Sequence, residues 1–75
     1  MKETRRLTAL IEREDDMYVS LCPELDIASQ GRTVEEAHAN LKEALKLFLE
    51  TADQAEIVQR LHNEVFVTSV EVSVG

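Results

Sequence analysis

Apolar and polar residues alternate through Leu7-Thr8-Ala9-Leu10-Ile11-Glu12-Arg13, with Leu7, Ala9 and Ile11 on one side and Thr8 and Glu12 on the other. A period of two is that of a strand. Glu14-Asp15-Asp16 interrupts it as a polar turn, and Met17-Tyr18-Val19-Ser20-Leu21-Cys22 resumes it with Met17, Val19 and Leu21 on one face. Two strands joined by so short a turn predict an antiparallel hairpin. Pro23 has no N–H for a ladder and stops the second strand. Ile27-Ala28-Ser29-Gln30 has the length of a third strand, ended by Gly31, whose expected role is to relieve the backbone in a tight strand-to-helix turn.

The period then changes. Val34, Ala37, Leu41, Ala44, Leu45 and Phe48 recur at spacings of three and four, the stripe of an amphipathic helix, while Glu35, Lys42, Glu43 and Lys46 fall outside it. Thr33 with Glu36 three residues on has the form of a capping box: the hydroxyl takes a backbone N–H and the carboxylate reaches back. Asp53 and Glu56 repeat that pattern ahead of a second helix, roughly residues 54–62, with Ile57, Val58 and Leu61. Alternation returns in Val65-Phe66-Val67-Thr68-Ser69-Val70-Glu71-Val72-Ser73-Val74, where Phe66, Val70, Val72 and Val74 share a face opposite Glu71 and Ser73. The order βββααβ predicts an α+β fold, one small sheet with helices packed on one face. No repeat, linker or low-complexity segment divides residues 1–75, so a single domain is expected.

Size and charge narrow the function classes. A domain of 75 residues hides only about 60% of the surface its unfolded chain exposes. Domains this small, without a metal or disulfide, gain core by oligomerising. Cys22 is the only cysteine and forms no internal disulfide, which fits a reducing cytoplasm. The start, from Met1 to Arg6, lacks the apolar run of a signal peptide, and no segment approaches the ~18 apolar residues of a membrane span. Fifteen acids against eight bases give a net charge of -7. That argues against direct nucleic-acid binding, which needs a basic face. It favours a basic protein partner, although solubility alone also accounts for it.

The candidate chemistry is sparse. Asp15, Asp16, Glu24 and Asp26 would have to converge on ions about 4 Å apart for two-metal hydrolysis. Two of them are adjacent in a turn, where acids are common, and two flank Leu25 in a loop. A nucleophilic Cys22 would need a neighbouring base, and a lone cysteine ending a strand is more often a small core residue. His38 and His62 read as helix-surface residues, and with Cys22 they lack zinc-type spacing and a fourth ligand. Ser29-Gln30-Gly31 has neither the glycines nor the lysine of a phosphate loop, and Glu35 and Glu36 at the helix start would repel an anion. No catalytic residue, metal or cofactor is expected, and no ribonuclease activity with Mg²⁺ or Mn²⁺.

The ordered set of short motifs resembles the HicB-like antitoxin family. It comprises Tyr18 leading a strand, Pro23-Glu24-Leu25, Ser29-Gln30-Gly31-Arg32-Thr33, Glu35-Glu36-Ala37 and Asn40-Leu41-Lys42-Glu43-Ala44. The run spans Tyr18 to Glu50; many family members have Pro-Gly-Cys after the Glu-Leu, where this chain has Asp26-Ile27-Ala28. The resemblance implies a partial RNase H-like fold without a working RNase H site. It implies a cytoplasmic antitoxin that binds and masks a HicA-type toxin, an mRNA-cleaving ribonuclease with a double-stranded-RNA-binding-like fold. Many members also carry a C-terminal DNA-binding segment, which this sequence, ending at Gly75, is expected to lack. The alternative is a stand-alone homo-oligomeric adaptor with no enzymatic activity. Glu14, Asp15, Asp16, Glu24 and Asp26 are the candidate toxin-binding residues. Val70, Val72 and Val74 are the candidate contacts of a homodimer or higher even oligomer, because an unpaired terminal strand invites pairing.

Overall fold

A computed structural model of the protein describes residues 5–62 and 64–75. Three strands, β1 (Leu10–Glu14), β2 (Met17–Cys22) and β3 (Ile27–Gly31), are followed by helices α1 (Val34–Thr51) and α2 (Gln54–Leu61). The strands form an antiparallel sheet in the order β1-β2-β3. The α+β class and the first five elements agree with the sequence pattern.

The first strand begins later than its alternation predicts. Leu10 pairs with Leu21, and one step beyond Cys22 the partner strand reaches Pro23, which has no N–H to donate. The N–H of Thr8 turns instead to the Glu24 carboxylate, at 3.1 and 3.2 Å from its two oxygens. The turn between β1 and β2 is Asp15-Asp16, with Asp15 in the left-handed region at φ 57. Aspartate tolerates that region better than most residues.

Register decides which residues face the helices. Ile11, Ser20 and Ser29 lie in one row, and Arg13, Tyr18 and Gly31 in the next. These share a face with Cys22 and Ile27, and this is the face on which α1 packs: the Ser20 hydroxyl donates to the carbonyl oxygen of Ala37 at 2.9 Å. The contact is built from small residues, with Ser20, Cys22, Gly31 and Ala37 all buried. The other face carries Leu10, Leu21 and Ala28 in one row, Glu12, Val19 and Gln30 in the next, and Glu14 with Met17 in the last. Of the large aliphatic side chains of the hairpin, Leu10, Met17, Val19 and Leu21 thus point away from the helices, and Ile11 points toward them.

The core is Cys22, Leu25 and Leu41, with Leu7, Ile27, Leu45, Phe48, Leu49 and Leu61 packed around it. Along α1, Ala37 and Leu41 are buried and Val34 is exposed. The Thr33 hydroxyl accepts the Glu36 N–H at 3.0 Å, half of the expected capping box. The Glu36 carboxylate reaches one residue further back, to the N–H of Arg32 at 3.1 Å. The second expected box does not form. Asp53 is the N-cap of α2 without a side-chain hydrogen bond, and Glu56 pairs with Arg60 at 3.1 Å.

The last predicted strand is the principal departure. Residues 64–75 form no strand, and Val70, Val72 and Val74 are exposed. The alternation is real, but a strand exists only against a partner, and among the described residues none lies beside this segment.

Candidate interaction surface

The five candidate acids do not form one patch. Glu14, Asp15 and Asp16 sit at the β1–β2 turn, while Glu24 and Asp26 belong to the turn from β2 to β3. The six residues of β2 separate the two groups, about 20 Å at the rise of an antiparallel strand.

Glu24 is engaged within its own domain. Its carboxylate accepts both the N–H of Thr8 and the Thr8 hydroxyl, the latter at 2.6 Å, and lies 3.5 Å from the Cys22 thiol. It therefore ties the segment before β1 to the turn after β2. Burial alone would raise its pKa, but the Thr8 hydroxyl, its own backbone N–H and that of Thr8 together hold it below the ordinary carboxylate value. Asp26 is exposed, in the left-handed region at φ 55.

A pH prediction follows from Glu24. Its folded pKa is depressed, so its contribution is present above the unfolded pKa of about 4.3 and is lost as pH falls through the folded value. Glu24→Gln is expected to lower stability at pH 7 by about 1 kcal/mol, the scale of a partly exposed hydrogen-bond cluster. The deficit should shrink on going from pH 6 to pH 3. Urea unfolding at both pH values checks this; a constant deficit would remove the assigned role of the charge.

Cys22 is fully buried at the centre of the core, and burial pushes its thiol up from the usual value. This is the small core residue that the sequence pattern allowed, far from the thiolate that nucleophilic chemistry needs. His38 and His62 are exposed. Among the described residues no group of three or more His, Cys, Asp or Glu is placed to hold a metal ion. No helix among them is long and apolar enough to cross a membrane.

What remains is the uncovered face of the sheet. Leu10, Glu12, Glu14, Val19, Leu21 and Ala28 line a shallow depression there, and Glu14, Asp15, Asp16, Met17, Val19 and Gln30 line its neighbour. The centre is aliphatic and the side toward the β1–β2 turn is acidic. An apolar centre with a polar rim is the composition of a protein-binding surface. The sequence pattern picked out Glu14, Asp15 and Asp16 but not Glu12, nor the central role of Val19 and Leu21. Their shared period was legible, but which face the helices would take was not.

Comparison with known proteins finds a curated relative of the chain. It is 46% identical over 56 residues to the UPF0150 protein ssl0738 of Synechocystis sp., a match covering 72% of this chain and 75% of that protein. The chain belongs to the UPF0150 family, a family of small HicB-like proteins. No family model matches the chain, and no solved structure matches it.

Proposed function

We propose that this protein is the antitoxin of a toxin–antitoxin pair and neutralises a basic, RNA-cleaving toxin of the HicA type by occluding it with the uncovered face of its sheet. The observation that carries the reading is that face itself. Leu10, Val19, Leu21 and Ala28 supply an apolar centre, and Glu12, Glu14, Asp15 and Asp16 supply an acidic rim. A toxin that grips RNA presents the opposite charge, so the acids speed encounter while the aliphatic centre holds the complex. The net charge of -7 extends the same field over the molecule. Family membership and the HicB-like motif order support the choice of partner. Glu24 drops out of the rim, because its carboxylate is already engaged by Thr8.

The test is co-expression with a short, basic reading frame from the neighbouring gene. That product alone should arrest growth, and this protein should restore growth and co-purify with it. Val19→Asp alters a side chain outside the core and is expected to weaken binding about 100-fold or more, as loss of a central contact does. Reversing Glu12 and Glu14 together to lysine should chiefly slow association and flatten its dependence on salt. Binding untouched by both changes would move the interface elsewhere. A neighbour whose product leaves growth unaffected would favour the homo-oligomeric adaptor instead.

A further inference from the structure

The segment from Glu64 to Gly75 has the sequence of a strand and no strand beside it. Phe66, Val70, Val72 and Val74 are 83%, 84%, 75% and 92% exposed. Single exposed aliphatics are ordinary, but a row of them along one side of a segment marks an interaction surface. The chain as a whole is also more extended than a compact domain. The radius of gyration is 14.7 Å, against about 11 Å for a compact chain of this length. The accessible surface is 6535 Å², against about 4,700 Å² for a compact monomer of this mass. The surplus per chain is on the scale of a whole stable interface, about 1,600 Å².

The sheet offers one matching edge. At β3 the carbonyl oxygen of Gln30 already accepts the Asn40 side-chain amide at 2.8 Å, and α1 lies across that strand. Along the outer edge of β1, no strand is paired among the described residues. We propose that the tail of a second copy of this chain adds to β1 as a fourth, antiparallel strand, and that two copies exchange tails reciprocally.

Charge selects the register. Placing Glu71 opposite Arg13 puts Val70 beside Glu14, Val72 beside Glu12 and Val74 beside Leu10. Glu71 then meets a base on the helix side. Val74 continues the row of Leu10, Leu21 and Ala28 on the outer side. A slip of one residue turns the whole tail over and sets Glu71 on the face of Glu12 and Glu14, where like charges oppose pairing. Val65 to Val74, extended, spans about 33 Å, ample for the five residues of β1. The exchange stands on the tail and the edge alone and does not depend on the toxin.

Sedimentation of the 75-residue chain tests it. Wild type should run at twice the 8.5 kDa chain mass in the micromolar range. Ser73→Pro removes the N–H that, opposite Ile11 in this register, donates to the outer edge of β1, and should abolish the dimer. Glu71→Arg and Arg13→Glu should each weaken self-association on the order of tenfold or more, since a reciprocal exchange contains the pair twice. Mixing the Glu71→Arg chain with the Arg13→Glu chain should restore a dimer, because every Glu71–Arg13 site in the mixed pair is again one acid against one base. Restoration counts equally whether the separate variants are folded monomers or unfolded chains. A monomeric wild type, a dimer indifferent to Ser73→Pro, or no recovery on mixing would each overturn the exchange.

Discussion

Gly31→Ala is expected to remove much of the protein's stability. A Cβ built on Gly31 would lie 2.5 Å from the Ala37 nitrogen, 2.8 Å from the Glu36 carbonyl carbon and 2.9 Å from the Glu36 Cβ. Two of these neighbours are backbone atoms of the first turn of α1. They cannot step aside singly, because the Thr33 hydroxyl holds the Glu36 N–H and the Thr33 carbonyl holds that of Ala37 at 2.9 Å. Gly31 does not have a positive φ, so alanine meets no backbone objection there. The whole cost is steric. It replaces the role expected from sequence, in which the glycine relieved a tight turn. Overpacking costs about 1–3 kcal/mol, and more when rigid atoms are struck. A core of this size supplies only about 3–5 kcal/mol. With urea slopes near 1 kcal/mol per molar for small domains, the midpoint should fall by about 2 M or more. Gly75→Ala, with nothing within 4 Å of its added carbon, is the matched control and should leave the midpoint in place. A Gly31→Ala midpoint equal to wild type would mean that α1 does not sit this close to the sheet.

Leu25→Ala is expected to cost about 2–5 kcal/mol, the range for a buried leucine whose cavity cannot close. Leu25 is fully buried although it lies in the turn between β2 and β3, and it packs with Cys22 and Leu41. Its carbonyl oxygen accepts a hydrogen bond from the Arg60 guanidinium, which also stands 4.8 Å over the Phe48 ring and pairs with Glu56. This one turn residue therefore joins the sheet, α1 and α2. Leu47→Ala makes the same chemical change at a side chain 61% exposed on α1. It should shift stability by no more than about 0.5 kcal/mol. Urea unfolding of the two variants side by side checks the contrast. Equal losses would mean that the turn does not carry the core.

Much of the secondary structure was legible because it rests on local signals. The hairpin follows from two alternating runs around Glu14-Asp15-Asp16. The first helix follows from a stripe at spacings of three and four behind a threonine cap. The candidate interaction surface was legible only in part. The acids of the β1–β2 turn could be named, since turns expose polar residues. Glu24 looked equivalent to them, because a hydrogen bond to Thr8, sixteen residues earlier, leaves no mark in the local pattern. For the same reason the loop-borne Leu25 read as part of a turn rather than of the core.

The sequence by itself determined the number and type of the first five elements, the acidic balance, the lone cysteine and the period-two tail. Each depends on composition or on neighbours a few residues apart. Only the tertiary structure decided which side of the sheet would be covered. Alternation defines two faces but does not say which becomes the interior, and β2 offers Met17, Val19 and Leu21 on one face against Tyr18, Ser20 and Cys22 on the other. The close approach of α1, with Ser20 bonded to the Ala37 carbonyl and Gly31 under the first helical turn, selects the face that carries the small residues Ser20, Cys22 and Gly31. The aliphatic face is thereby left uncovered. The tail was decided in the same way: its pattern is local, but a strand is a relation between two segments, and its own chain leaves that relation open.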